Sequence, residues 1–208
     1  MAIHYHIHPS HPQTNKIAKV VEELRRGAVI LYPTDTVYAI GCDILQKEAI
    51  ERIRQLRRLS TDKPLTFLCH SLTNISEYAH VSDAAYRTIK HLIPGPYTFI
   101  LPATKLVPKL VQNPKRKTTG IRVPDNAICR MLLEELGNPI ISMSARMSVP
   151  TEIETIDDLF DNFERLVDVI VADDSGHGTH VSTMIDMSGD EFRIGREGLG
   201  LEKALQYL

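Results

Sequence analysis

The chain has 208 residues, 43% hydrophobic and 24% charged, with 24 Lys and Arg against 26 Asp and Glu for a net charge of -2. That length holds one substantial core, and the near balance of charge excludes polyanion binding through overall charge, leaving only local cation clusters. Cysteines 42, 69 and 129 are few, far apart and without a CxxC pair, which excludes a disulfide scaffold and argues against structural zinc. The N-terminus lacks the basic and apolar regions of a signal peptide, and no segment approaches the ~20 apolar residues of a membrane span, so a cytoplasmic address is expected.

His4, His6 and His8 alternate, which on a strand sets three imidazoles on one face. A half-exposed first strand explains them better than a metal site, because no carboxylate or cysteine is near in sequence. Ile17, Val20, Val21 and Leu24 predict an amphipathic helix over residues 15–26, stopped by Gly27. Ala28–Tyr32 then reads as a buried strand. The apolar run is broken by Pro33-Thr34-Asp35-Thr36 and resumes to Cys42, so hydroxyls and a carboxylate sit at a strand end, well placed for a small polar ligand.

Ile50, Ile53 and Leu56 mark a second helix over Ala49–Leu56, ending in a basic turn that carries Arg57, Arg58 and Lys63. Leu65–Cys69 is strand-like. Ser82-Asp83 opens a helix through Leu92, and Pro94-Gly95-Pro96 breaks it before the strand Tyr97–Leu101. A Lys-rich connection leads to the extended Gly120–Pro124, a helix over Ala127–Leu136, and strands at Pro139–Met143 and Val167–Ala172. Val181–Met187 and Phe192–Gly195 form a hairpin turned at Ser188-Gly189-Asp190. Alternating strands and helices give a single α/β domain over residues 1–208 with a mixed sheet.

Gly176-His-Gly-Thr-His-Val-Ser182 matches the histidine motif of subtilisin-like proteases, but only 26 residues follow Ser182 and none forms the nucleophile segment. Standard phosphate-binding glycine loops are absent, so a nucleotide site must be assembled from separated segments. Arg122 and Arg196 are its candidates, since each lies beside a glycine at a strand end where a phosphate or carboxylate can approach the backbone.

Seven ordered blocks then resemble the YrdC/YciO family of threonylcarbamoyl-AMP synthases: Tyr-Pro-Thr-Asp-Thr-x-Tyr-x-x-Gly-Cys (32–42), Lys-Pro-Leu-Thr (63–66), Pro-Gly-Pro-Tyr-Thr-Phe-Ile-Leu (94–101), Gly-Ile-Arg-Val-Pro (120–124), Ser-Ala (144–145), Ser-Thr-Met-Ile-Asp (182–186) and Arg-Glu-Gly (196–198). The chain is most similar to the YciO branch. The resemblance implies a YrdC-like twisted mixed sheet with helices on both faces and a basic concave surface. It implies an activity that joins threonine, bicarbonate and ATP into threonylcarbamoyl-AMP and pyrophosphate, with Mg2+, in support of tRNA modification.

It also implies roles for particular residues. Thr34, Thr36 and Ser182 would hold threonine with Arg122 on its carboxylate, and Ser144 would lie at the junction of carbamate and nucleotide. Lys63, Thr118 and Arg196 would face the phosphates. Arg57 and Arg58 stand where the synthases carry Lys-x-Arg, and Ser144-Ala145-Arg146 where they carry Ser-x-Asn, which puts Arg146 on the nucleotide side. A noncatalytic protein that binds double-stranded RNA or tRNA is the alternative, and a regulator that binds AMP without turnover is a third reading.

Overall fold

Short β-branched and aromatic runs at Ile30–Tyr32, Thr66–Leu68 and Val169–Ala172 are buried on both sides, and a strand with two covered faces needs helices above and below. The computed structural model describes residues 1–60, 63–145, 155–174, 178 and 180–208. Its first third runs β1 (Ile3–His6), α1 (Thr14–Arg25), β2 (Ile30–Tyr32), β3 (Ala39–Asp43), α2 (Lys47–Leu56) and β4 (Thr66–Leu68). Then come α3 (Leu72–Tyr78), α4 (Asp83–Leu92), β5 (Tyr97–Pro102), β6 (Thr118–Arg122), α5 (Ala127–Leu136) and β7 (Ile140–Ser144). The last third holds α6 (Ile156–Phe163), β8 (Val169–Ala172), β9 (Thr183–Asp186), β10 (Arg193–Arg196) and α7 (Leu201–Leu205).

All ten strands join one mixed sheet in the order β1-β8-β2-β3-β7-β4-β6-β5-β9-β10. Alternation along each strand divides its side chains between two cores. Leu31, Phe67, Phe99, Ile121, Ile141 and Ile185 point to one face, which is covered by α2, α3, α4, α6 and α7. Ile30, Tyr32, Ala39, Leu68, Ile140 and Val169 point to the other, where α1 and α5 lie side by side.

Those two helices cover only the half of their face nearer β1. From β7 onward that face carries polar residues: Ser142, Thr66, Arg122, Thr98 and Ser182. The sheet itself becomes the floor of a cleft.

Helix ends follow their capping residues. Ser82 Oγ accepts from Ala85 N (3.2 Å) at the start of α4, and Asn126 Oδ1 from Cys129 N (2.9 Å) at the start of α5. Gly137 closes α5 in a left-handed conformation, φ 77°. The expected helices at 15–26, 49–56, 82–92 and 127–136 are all present. Three helices were not foreseen: α3 and α7 have only seven and five residues, too few to show a 3.6-residue period, while α6 follows a capping box between Thr155 and Asp158.

Of the alternating histidines, His4 and His6 lie on the edge strand β1, as expected of a half-exposed first strand, and His8 lies beyond its end. His4 and His6 meet Glu164 (2.6 Å) and Asp174 (3.0 Å), carboxylates distant in sequence. Among the described residues no helix is long and apolar enough to cross a membrane.

Candidate active site

The loop after β2 is held by its own hydroxyl. Thr34 Oγ1 donates to Val37 O (2.7 Å) and accepts from Thr36 N (3.1 Å), a local turn that competes with strand continuation and interrupts the apolar run. From α5 the buried Cys129 thiol donates to Pro33 O (3.2 Å), which fixes the loop to the apolar half of its sheet face. Gly178 lies against the same loop so closely that a Cβ there would sit 1.5 Å from Thr36 O, so only glycine fits.

Arg122, the last residue of β6, reaches this loop. Its Nη1 donates to Thr36 Oγ1 (2.9 Å) and its Nη2 to Asp35 Oδ1, an ion pair whose side chains are 8% and 10% exposed. Thr36 Oγ1 lies 3.1 Å from Thr34 Oγ1. Arg122 Nε and Asp35 Oδ2 are buried with no hydrogen-bond partner among the described residues.

The opposite wall comes from the last hairpin. Ser182, just ahead of β9, accepts from Arg196 Nη2 at both its carbonyl (2.9 Å) and its hydroxyl (3.0 Å), and its Oγ is 2.9 Å from Thr98 Oγ1 on β5. Gly198 presses on this turn: a Cβ would lie 2.4 Å from Val181 O and 2.6 Å from Ser182 O. Arg-Glu-Gly therefore places an arginine on Ser182 and a backbone without a side chain behind it.

The third side is the turn after α2, with Arg57 and Lys63, and the end of β7, with Ser144. Arg54, one helical turn before Arg57 and Arg58, is buried. It donates to Ser60 O (2.8 Å), Lys63 O (2.8 Å) and Leu110 O, and so anchors the turn that carries Lys63.

Together these segments enclose a cleft of about 290 Å³. Thr34, Thr36, Arg57, Lys63, Arg122, Ser144, Ser182 and Arg196, drawn from separated stretches of chain, all line it. Arg58 is exposed, adopts φ 47° and does not line the cleft. Thr118 lies four residues before Arg122 on the same face of β6, roughly 13 Å along the strand, and lines a neighbouring cavity of about 610 Å³ with Arg116 and Asp186. Arg146 lies outside the described residues, as do Gly176, His177 and Thr179 of the protease-like stretch. Thr66, Thr98 and Ser142 also line the cleft. Their signal in the sequence is a hydroxyl at alternate positions of otherwise apolar strands.

Four cations, Arg57, Lys63, Arg122 and Arg196, face this small volume, no carboxylate lines it, and Asp35 beside it pairs with Arg122. Burial pushes the Arg57 and Arg196 guanidiniums below their usual range, and for Arg196 the neighbouring Arg122 charge adds to the effect. A bound anion relieves that repulsion, so the cleft is built for a negatively charged ligand with hydrogen-bonding oxygens.

The sequence profile described as Sua5_yciO_yrdC, telomere recombination, matches residues 22–198. The chain belongs to this family. It is 41% identical over 206 residues to the uncharacterized protein YciO of Escherichia coli K12, covering 96% of this chain and 97% of that one. It is 29% identical over 175 residues to the threonylcarbamoyl-AMP synthase of Vibrio vulnificus YJ016, covering 83% and 94%. The crystal structure of E. coli YciO superposes with a TM-score of 0.90 at 40% identity, over 98% of this chain and 99% of that one. P. abyssi Sua5 complexed with L-threonine superposes with a TM-score of 0.87 at 25% identity, over all of this chain and 61% of that one. The YrdC-like fold expected from the seven sequence blocks is the fold of the family.

Proposed function

We propose that the protein is a nucleotidyltransferase of the threonylcarbamoyl-AMP synthase type, acting on threonine, bicarbonate and ATP. The observation that carries this reading is the convergence of Thr34, Thr36, Arg122 and Ser182 with Arg57, Lys63, Ser144 and Arg196 on one cleft. The family's synthases and the threonine-bound Sua5 support it. The hydroxyls and Arg122 suit an amino acid, and the remaining cations suit phosphates.

In this reading the threonine amine and bicarbonate first join as N-carboxythreonine with loss of water, and a carbamate oxygen then attacks the α-phosphorus of ATP. The new O–P bond forms as the bond to pyrophosphate breaks, and pyrophosphate leaves with the electron pair. Such a step needs little covalent assistance; it needs two anions held together and the charge on the leaving group neutralised. Lys63, Arg57 and Arg196 supply positive charge at the cleft, while Arg122 and the hydroxyls hold the amino acid. Ser144 lines the same cleft and suits the junction.

ATP chemistry implies magnesium. Among the described residues no group of three His, Cys, Asp or Glu could hold a metal ion, and the residues lining the cleft include no carboxylate. They do not form a magnesium site of their own, and any such ion enters with the nucleotide phosphates as part of the substrate.

The test is pyrophosphate release by the purified protein. Release is expected only when ATP, threonine and bicarbonate are all present, and Arg122→Ala should reduce it at least about a hundredfold. ATP-dependent release that ignores threonine would contradict the proposal. The second reading, RNA binding without turnover, draws on the exposed Lys115, Arg116 and Lys117 at one turn. It predicts instead binding that weakens steeply with salt and no pyrophosphate.

A further inference from the structure

Thr98 lies on the floor of the cleft, buried to 3% exposure, on the strand between the two walls. Continuing the β5–β6 register one residue beyond Phe99↔Ile121 sets Thr98 opposite Arg122, and on its other side its hydroxyl meets Ser182. With β5 between them, β6 and β9 are about 10 Å apart. An amino acid whose carboxylate rests on Arg122 spans that gap with its side chain.

The protons can be counted. A guanidinium only donates, so the bond between Arg196 Nη2 and Ser182 Oγ uses the serine as acceptor. Thr98 and Ser182 bring two hydroxyl hydrogens, and one of them lies in the 2.9 Å contact between the two oxygens. Among the described residues neither hydroxyl has a further partner. The remaining hydrogen, whichever oxygen carries it, is left for a ligand in the cleft that both residues line. The pair presents one donor, with Ser182 held by Arg196.

Resting on the reading of this cleft as an amino-acid site, we propose that Thr98 is a specificity-determining residue that makes the Thr98–Ser182 pair a donor for the hydroxyl oxygen of the bound β-hydroxy amino acid. A ligand without that oxygen leaves the buried donor unpaired, which is how a hydroxyl site rejects a near-isostere. Without Thr98 the Ser182 hydroxyl keeps its bond from Arg196 but turns freely about it, and the discrimination falls.

The experiment compares threonine with 2-aminobutyrate, which lacks only the hydroxyl, by calorimetric titration of wild type, Thr98→Val and Thr98→Ser, with melting curves to check the fold. Wild type and T98S should prefer threonine, and T98V should lose about tenfold of that preference, through weaker threonine binding, tighter 2-aminobutyrate binding or both. An undiminished preference in T98V, an equal loss for both amino acids, or a T98S that behaves as T98V would each overturn the proposal while leaving the amino-acid site standing. A wild-type protein that binds neither amino acid would remove the site and the proposal together. If T98V does not fold, T98A against T98S makes the same comparison.

Discussion

Arg122 serves two partners whose demands differ. In the folded protein its charge is balanced by Asp35, yet the proposed reaction asks the same guanidinium to receive a substrate carboxylate. Both are possible because each terminal nitrogen carries two hydrogens, of which Asp35 and Thr36 take one apiece. Removing Asp35 leaves a buried guanidinium without its counter-charge, which typically costs about 3 kcal/mol or more. Asp35→Asn should therefore lower the unfolding free energy in urea by roughly that amount, and a loss below about 1 kcal/mol would mean that water or Thr36 already stabilises the cation. The sequence made Arg122 legible as a candidate because it stands beside Gly120 at a strand end. It did not reveal Asp35 as its partner, since 87 residues separate the two and only the sheet order brings them together.

At the scale of elements, the turn from α2 to β4 shows why charge pattern alone misleads. Arg54, Arg57 and Arg58 read alike in sequence, but α2 buries the first, its C-cap sets the second at the cleft, and the left-handed turn beyond leaves the third exposed. Arg54 ties three carbonyls from two parts of the chain, so it fixes the turn on which Lys63 rides. Arg54→Met keeps the apolar stem but removes those bonds. It should raise KM for ATP about tenfold, with the circular dichroism of the helices unchanged, and a KM equal to wild type would show that the turn holds without it. The long helices were readable because ten to twelve residues display an apolar stripe. β3 was legible only as the apolar run resuming after the Pro33-Thr34-Asp35-Thr36 break; that it turns back antiparallel on β2, with Ile30 opposite Gly41, depends on pairing that the run does not display.

For the whole molecule, the division of one sheet face decides where function can sit. Two helices cover half of it and leave a floor of hydroxyls on the other half, so binding chemistry and packing share a single layer. The same packing buries all three cysteines, and desolvation pushes each thiol well above its usual range. A thiol raised in this way stays protonated and unreactive at neutral pH and gains reactivity only as the pH climbs toward the shifted value. Native protein at pH 8 should leave all three unlabelled by an aromatic disulfide reagent, with labelling complete in denaturant; fast labelling of Cys129 would indicate that the Pro33 loop opens. The α/β class was legible from alternating strands and helices, whereas the bare half of the face was not, because it depends on where α1 and α5 settle relative to strands far away in sequence.

The two walls of the cleft are made at very different times. Thr34 and Thr36 emerge early in synthesis, while Ser182 and Arg196 belong to the hairpin that docks against β5 near the end. A ligand bridging the walls can bind only after this long-range closure, so it recognises the finished molecule and no partial one. Its binding then adds to the stability of that state by mass action. A chain whose final hairpin has not docked holds only half a cleft, and ligand draws it toward the docked state without binding the open one.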